Sequence, residues 1–271
     1  MTLRDIKSGS VCVFVASSDN TLDVFLSVSQ SFAKFWPDCA FPIYVGLNTY
    51  RNLEGGSVFH EVYAPATGWR SELAEQLKSL PNSITHILLF LDDFLLLEPV
   101  NDLEINQLIF EAQTERLKYL RFVPYSRAFL PFLFGKICAV FKPLRKRIIP
   151  SCMPYYSSLQ VALWQKDHLQ NMLSVAGSIW EFEHRSLIGI HHYAVEDVSP
   201  IKYVHVVEKG KWKRTSHKIF RDAGIPFLPG ARPFLSFLEQ LNLDLNKIKF
   251  SLIGYSYVKL KRALLSLQKK P

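Results

Sequence analysis

Short apolar runs alternate with amphipathic stretches over the first half of the chain. Val11–Ala16 is one such run, closed by the polar turn Ser17, Ser18, Asp19, Asn20; from Thr21, Leu22, Phe25, Leu26, Phe32 and Ala33 fall at helical spacing. Unbroken apolar runs suit strands buried on both faces of a parallel sheet, so strand, turn and helix in this order predict an α/β unit of the nucleotide-binding type. Pro42–Leu47 and Val58–Tyr63 predict two further strands, the second introduced by the Gly55-Gly56 turn, and Leu73, Leu77 and Leu80 predict a helix after Thr67-Gly68-Trp69-Arg70-Ser71.

The chain is organised around Ile84 to Pro99. Ile87–Leu91 reads as a central strand that ends on two adjacent carboxylates, Asp92 and Asp93, before Phe94–Leu97 resumes the apolar run. Asn101-x-x-Glu104 then makes a capping box for a helix that buries Ile105, Leu108, Ile109 and Ala112. Lys118–Val123 predicts a strand, Tyr156–Trp164 extended structure, Asp167-x-x-Gln170 the start of a short helix, and the alternation from Ile201 to Val207 a last strand. The expected fold is α/β, a mostly parallel central sheet flanked by helices. Its main domain spans 1–230, and a basic amphipathic helical extension follows over 231–271.

The length of 271 residues suffices for one large α/β domain with a tail. Cys12, Cys39, Cys138 and Cys152 are scattered without metal-ligand spacing, which argues against zinc or a disulfide framework and fits a reducing cytosol. The N-terminal apolar run is too short for a secretory signal.

The net charge of +8 is unevenly spread. Residues 1–115 carry 6 Lys and Arg against 15 Asp and Glu, whereas 116–166 carry 10 against none and 201–271 carry 15 against 4. Such asymmetry predicts an anionic partner. The company those charges keep favours an anionic membrane surface over nucleic acid. The aromatic, apolar stretch Ala128–Phe141 is flanked by Lys142, Arg145, Lys146 and Arg147, so a membrane-facing segment is expected at about 126–150. Ile248–Lys270 repeats the theme, with apolar residues near helical spacing among lysines and arginines. A nucleic-acid partner would explain the charge but not the acidic pair.

An unpaired carboxylate is costly to bury, so Asp92 and Asp93 at the carboxyl end of a strand point to a divalent cation and its phosphates. No Gly-x-Gly-x-x-Gly follows the first strand, which disfavours a dinucleotide, while the turn Ser17, Ser18, Asp19 could hold a base or ribose. Trp69 fits a packing role. Arg70, at a helix start where the dipole disfavours a cation, is a candidate anion ligand. Ser178 and Glu181 stand at capping-box spacing, whereas Glu183 has no such role and, near a helix N-terminus, stays ionised as a general base requires. His205 could complete a metal site, against the ordinary role of a packed histidine. Lys209 and Lys211 flank Gly210 and could neutralise a diphosphate.

In their order, Gly68-Trp69-Arg70-Ser71, Leu91-Asp92-Asp93-Phe94, Ser158-Leu159-Gln160, Ala162-Leu163-Trp164, Trp180-Glu181-Phe182-Glu183 and Lys209-Gly210-Lys211-Trp212 resemble bacterial glycosyltransferases of the GT-A fold, found in polysaccharide, capsule and lipopolysaccharide assembly. The resemblance covers roughly residues 10 to 215. It implies a GT-A-like sheet and a Mn or Mg ion at Asp92 and Asp93, although the motif here is Asp-Asp-Phe rather than Asp-x-Asp. It also implies a nucleotide-diphosphate sugar donor, a base at Glu183 or Glu181, and inversion at the anomeric centre. The basic segments add a lipid-linked glycan acceptor and a peripheral place on the cytoplasmic face of the membrane. A metal-dependent phosphohydrolase would use the same carboxylates, but usually needs more of them.

Overall fold

The computed structural model describes residues 8–53, 58–124, 146–151, 155–175, 177–184, 189–196 and 199–246. Its strands are β1 (Val11–Ala16), β2 (Ile43–Leu47), β3 (Phe59–Tyr63), β4 (His86–Leu91), β5 (Phe94–Leu96), β6 (Tyr119–Arg121), β7 (Lys146–Ile148), β8 (Ala162–Gln165), β9 (Tyr193–Val195), β10 (Tyr203–His205), β11 (Val207–Glu208) and β12 (Lys211–Trp212). The helices are α1 (Leu22–Phe35), α2 (Trp69–Lys78), α3 (Asp102–Thr114), α4 (Lys166–Val175), α5 (Ile179–His184) and α6 (Ser216–Asp222). The main sheet has eight strands in the order β3-β2-β1-β4-β8-β6-β9-β7. β3, β2, β1 and β4 are parallel, β8 runs against both β4 and β6, and β7 runs against β9.

Alternation along β1 divides the core. Val11, Val13 and Val15 face the side covered by α1 and α3, where Phe25, Phe32, Ile105 and Leu108 pack. Cys12 and Phe14 face the other side, against Leu73 and Leu77 of α2, Leu169 and Met172 of α4 and Phe182 of α5. Both faces of β1 and β4 are therefore dry, which is why their sequences are unbroken apolar runs rather than alternating ones. Gly46 of β2 is required by close approach: a Cβ there would lie 2.1 Å from Gln76 Oε1, and Gln76 in turn donates to the Leu47 carbonyl at 3.2 Å. Asn101 caps α3, accepting the Leu103 N–H at 3.1 Å.

After β4 the chain turns at Asp92-Asp93 and leaves the main sheet, because β5 pairs with β10 in a two-stranded sheet of its own. The run Ile201–Val207, expected as one strand, is split between β10 and the hairpin β11–β12. Val206, fully buried between them, gives its N–H to Asp93 O at 3.1 Å and accepts from Lys213 N at 2.9 Å. The stretch Tyr156–Trp164, expected to be extended, is a turn at 155–157 and a strand only from Ala162. Tyr155, just before that stretch, opens the turn with a left-handed φ of 57°.

Residues 223–236, beyond α6, fold back onto the body. Trp212 exchanges backbone hydrogen bonds with Pro233 and Leu235, and Leu235 is buried. Residues 237–246 are helical, opened by a reciprocal Ser236–Glu239 capping box. The expectations for 126–145 and for Ile248–Lys270 lie outside the described residues. Lys146 and Arg147, read in the sequence as a membrane-facing flank, lie in β7: Lys146 pairs with Glu111 and Glu115 at 2.7 and 2.6 Å, and Arg147 lies 3.9 Å from Glu196. Among the described residues no helix is long and apolar enough to cross a membrane.

Candidate active site

In the order β3-β2-β1-β4 the chain moves one way from β1 to β2 and the other way to β4, so the sheet changes winding direction between β1 and β4. In open α/β sheets ligands bind outside the carboxyl ends of strands at such a point. Here that position is occupied by the turn after β1 and the acidic pair after β4. The Asp92 N–H continues the ladder to Ala16 O at 3.2 Å, and the Ser17 hydroxyl donates to Asp92 Oδ2 at 2.8 Å. Burial pushes the Asp92 carboxyl up to about 7, a rise reinforced by the Asp93 charge and opposed by hydrogen bonds from Thr21 and Ser17 and by the Arg232 charge.

Asp93 faces β10. The His205 Nδ1 lies 3.4 Å from Asp93 Oδ2, and the ring meets the Phe94 ring edge-on with centroids 4.4 Å apart. On its other side His205 Nε2 is 3.2 Å from the Gln160 amide nitrogen, and Tyr203 donates its hydroxyl to Gln160 Oε1. The structure thus gathers Ser17, Asp92, Asp93 and His205 in one place.

The remaining residues singled out by sequence have other immediate partners. Ser18 and Thr21 close the turn reciprocally. Burial alone would raise the Asp19 carboxyl, but hydrogen bonds from Thr49, Asn48 and Arg51 hold it down to about 2, tying the β1 turn to the end of β2. Trp69 meets Phe182 edge-on at 5.6 Å, joining the start of α2 to α5, and Arg70 follows it, half-buried. Lys209 and Gly210, with φ of 49° and 72°, form the tip of the β11–β12 hairpin; Lys209 is exposed there, whereas Lys211 pairs with Glu239 at 2.6 Å.

Glu181 makes the capping box, accepting the Ser178 N–H at 2.6 Å while its own N–H bonds Ser178 Oγ at 3.2 Å. Glu183, expected to be without structural bonds, accepts the Leu159 N–H at 3.0 Å and the Ser158 hydroxyl at 3.5 Å, and its carbonyl accepts the Ser157 N–H at 3.1 Å. The strip Ser158-Leu159-Gln160 therefore touches Glu183 at one end and, through the Gln160 side chain, His205 and Asp93 at the other.

No family model matches the chain, and no curated protein matches its sequence. The solved structures similar in outline include two that align over most of this chain. S. aureus TarS aligns at 10% identity and a TM-score of 0.41 over 79% of this chain. The galactosyltransferase LgtC, solved with donor and acceptor sugar analogues, aligns at 9% identity and a TM-score of 0.37 over 66%. The chain spans 39% of the first and 66% of the second. Similarity at this level assigns no activity.

Sequence reasoning missed Arg232. Its guanidinium forks onto Asp23 at 2.8 and 2.7 Å and donates to Asn20 O at 2.8 Å and Gly210 O at 2.9 Å, clamping the hairpin tip to the start of α1 beside Asp92. The only local signal is an arginine between the turn formers Gly230 and Pro233. Gln160 and Tyr203 were missed as chemistry because each sits inside a stretch that reads as an ordinary strand.

Among the described residues no three His, Cys, Asp or Glu side chains are arranged to hold a metal ion. Two adjacent carboxylates at a strand end do suit Mg or Mn, which take one or two carboxylates and complete their shell with water and substrate phosphates. Burial and the neighbouring Asp93 charge both disfavour the ionised Asp92 carboxylate, and a cation between the two carboxylates would offset both.

Proposed function

We propose that the protein is a glycosyltransferase that moves a sugar from a nucleotide-diphosphate donor to a hydroxyl of a glycan acceptor. The reading is carried by the acidic pair at the winding switch between β1 and β4, with a glutamate held at the far end of the Ser158–Gln160 strip. Bound by Asp92 and Asp93, Mn or Mg would neutralise charge gathering on the departing diphosphate. Lys209, exposed at the hairpin tip, would add a further positive charge. The β1 turn, shaped by Asp19 and Ser18, and the Trp69-Arg70 helix start would form the nucleotide side. Glu183 would take the proton of the acceptor hydroxyl as its oxygen attacks the anomeric carbon. The bond to the diphosphate breaks, its electrons leave with that group, and the centre inverts.

The sequence's basic and aromatic segments extend this reading to a lipid-linked acceptor at an anionic, cytoplasmic membrane face. With Lys146 and Arg147 engaged within the fold, Lys142, Arg145 and the C-terminal lysines and arginines are the groups to test. Their replacement by Gln should reduce partition onto anionic liposomes, by up to about 1 kcal/mol per basic residue.

The deciding experiment is a thermal-shift screen of nucleotide sugars with and without Mn, followed by turnover of each hit with and without a glycan acceptor. Product that forms only with acceptor supports transfer. Release of free sugar at the same rate in both cases would make the protein a hydrolase.

A further inference from the structure

Tyr203, Gln160, His205 and Asp93 form a chain of contacts with one consistent direction. The Tyr203 hydroxyl accepts the Val161 N–H at 3.4 Å and donates to Gln160 Oε1. That fixes the amide with its NH₂ toward His205, 3.2 Å from Nε2. A neutral imidazole facing an amide donor must accept at Nε2, so its hydrogen sits on Nδ1, the nitrogen 3.4 Å from Asp93 Oδ2. The same Gln160 has its backbone N–H on Ser158 Oγ at 3.3 Å, and Ser158 in turn donates to Glu183 at 3.5 Å. His205 Nε2 is thus engaged by the amide, while Nδ1 sits at ion-pair distance from the Asp93 carboxylate.

We propose that His205 is a positioning residue rather than a metal ligand: Gln160 sets its tautomer so that the ring orients the Asp93 carboxylate, and the Ser158–Gln160 strip couples that setting to Glu183. This rests on the cation and donor reading above. An Asp93 whose Oδ2 faces an imidazole N–H is left with Oδ1 as its free oxygen, which resolves how an Asp-Asp motif can present one defined oxygen from each carboxylate. Partners that orient a ligating side chain typically change metal affinity by about 10- to 100-fold when removed.

Two measurements on the full chain test this. The first needs no activity: long-range ¹H–¹⁵N spectra at neutral pH, with the His205 signals identified by their loss in His205→Gln. The expected pattern is the Nδ1–H tautomer; an Nε2–H tautomer in the wild type means that the amide faces the other way and overturns the proposal, whatever the protein catalyses. The second is Mn affinity in the presence of a nucleoside diphosphate for Gln160→Leu and the milder Tyr203→Phe, each at a temperature where it is folded. A loss of about 10-fold or more in Gln160→Leu, with a smaller loss in Tyr203→Phe, is expected. Unchanged affinity in both folded variants overturns the positioning role. His205→Gln that abolishes binding altogether, while Gln160→Leu leaves it intact, returns His205 to the metal. Wild-type chain that shows the Nδ1–H tautomer but no Mn-dependent nucleotide binding refutes the cation reading and leaves the tautomer result standing.

Discussion

Ser17 and Asp92 lie 75 residues apart in the chain, and the hydroxyl of one donates to the carboxylate of the other at 2.8 Å across the switch between β1 and β4. Burial, which that bond only partly offsets, gives Asp92 a pH dependence of unusual sign. Its folded pKa, about 7, stands above the unfolded carboxyl value, so the folded chain binds the extra proton. The group's contribution to stability is fully present below about pH 4 and is lost as pH rises through 7.

Asp92→Asn keeps an oxygen for Ser17 and removes the charge. Without metal, the variant should melt higher than wild type at pH 8 and show little difference at pH 4.5. With Mn and a nucleoside diphosphate the order should reverse, because only the wild type gains from the cation. Melting curves at the two pH values, with and without Mn, check all four cases. A variant less stable than wild type at pH 8 without metal would sink the assignment of a desolvated carboxylate that resists ionisation.

The parallel half of the sheet was legible because β1, β2 and β4 are buried on both faces, and that burial writes itself as unbroken apolar runs. The second half was legible only in part. β6 falls inside the strand expected over Lys118–Val123, but β7 and β9 are only three residues long, and the reversal of β8 between β4 and β6 depends on loop paths that leave no periodic trace. The site divides the same way. Asp92 and Asp93 could be found because they follow a readable strand, and Glu181 because capping is local. Arg232, Gln160 and Tyr203 reach the site from distant segments, and the bonds of Glu183 run to a turn that the sequence presented as a strand.

His168 and His192 present their Nε2 atoms to each other at 2.8 Å, and His192 Nδ1 lies 3.2 Å from the Tyr156 carbonyl, which only an N–H can satisfy. Burial pushes both rings down, to about 4 and about 3, with the charges of Lys118 on one side and Arg121 on the other adding to it. The unfolded chain binds protons that the folded chain refuses, so stability from this pair is present above about pH 6.5 and falls as pH drops toward 4, by up to about 1.4 kcal/mol per pH unit for each ring. Asp92 acts in the opposite direction over the same range, so the measurement belongs in the Asp92→Asn background. Denaturant midpoints between pH 7.5 and 4.5 should fall there, and fall less when His168→Gln removes one ring.

Arg232→Lys keeps a charge but loses the fork onto Asp23. Hydrogen bonds to charged groups contribute about 1.5–3 kcal/mol each, and this partly exposed clamp should cost about that much in total when broken. Because it also holds the Gly210 carbonyl, the hairpin tip with Lys209 should loosen, weakening nucleoside-diphosphate binding as well. Calorimetry and melting on the same preparation check both; full affinity at reduced stability would make the clamp purely structural.

Glu181 and Glu183 share α5 and are separated by what their oxygens touch. Glu181→Gln retains an oxygen that can accept the Ser178 N–H, so stability and transfer should both be largely kept. Glu183→Gln likewise retains an acceptor for the Leu159 N–H, so the Ser158–Gln160 strip should stay in place and donor affinity and melting temperature should be close to wild type. It cannot take a proton from an acceptor hydroxyl. Transfer should therefore fall by about a hundredfold or more with KM for donor unchanged, the usual reach of general base catalysis. Glu183→Ala goes further: it leaves the Leu159 N–H without its partner, so melting temperature should drop along with transfer. If Glu183→Gln transfers at near wild-type rate while Glu183→Ala unfolds early, Glu183 is a buttress for the strip and the base lies elsewhere. Loss of transfer in Glu181→Gln alone would move the base to Glu181.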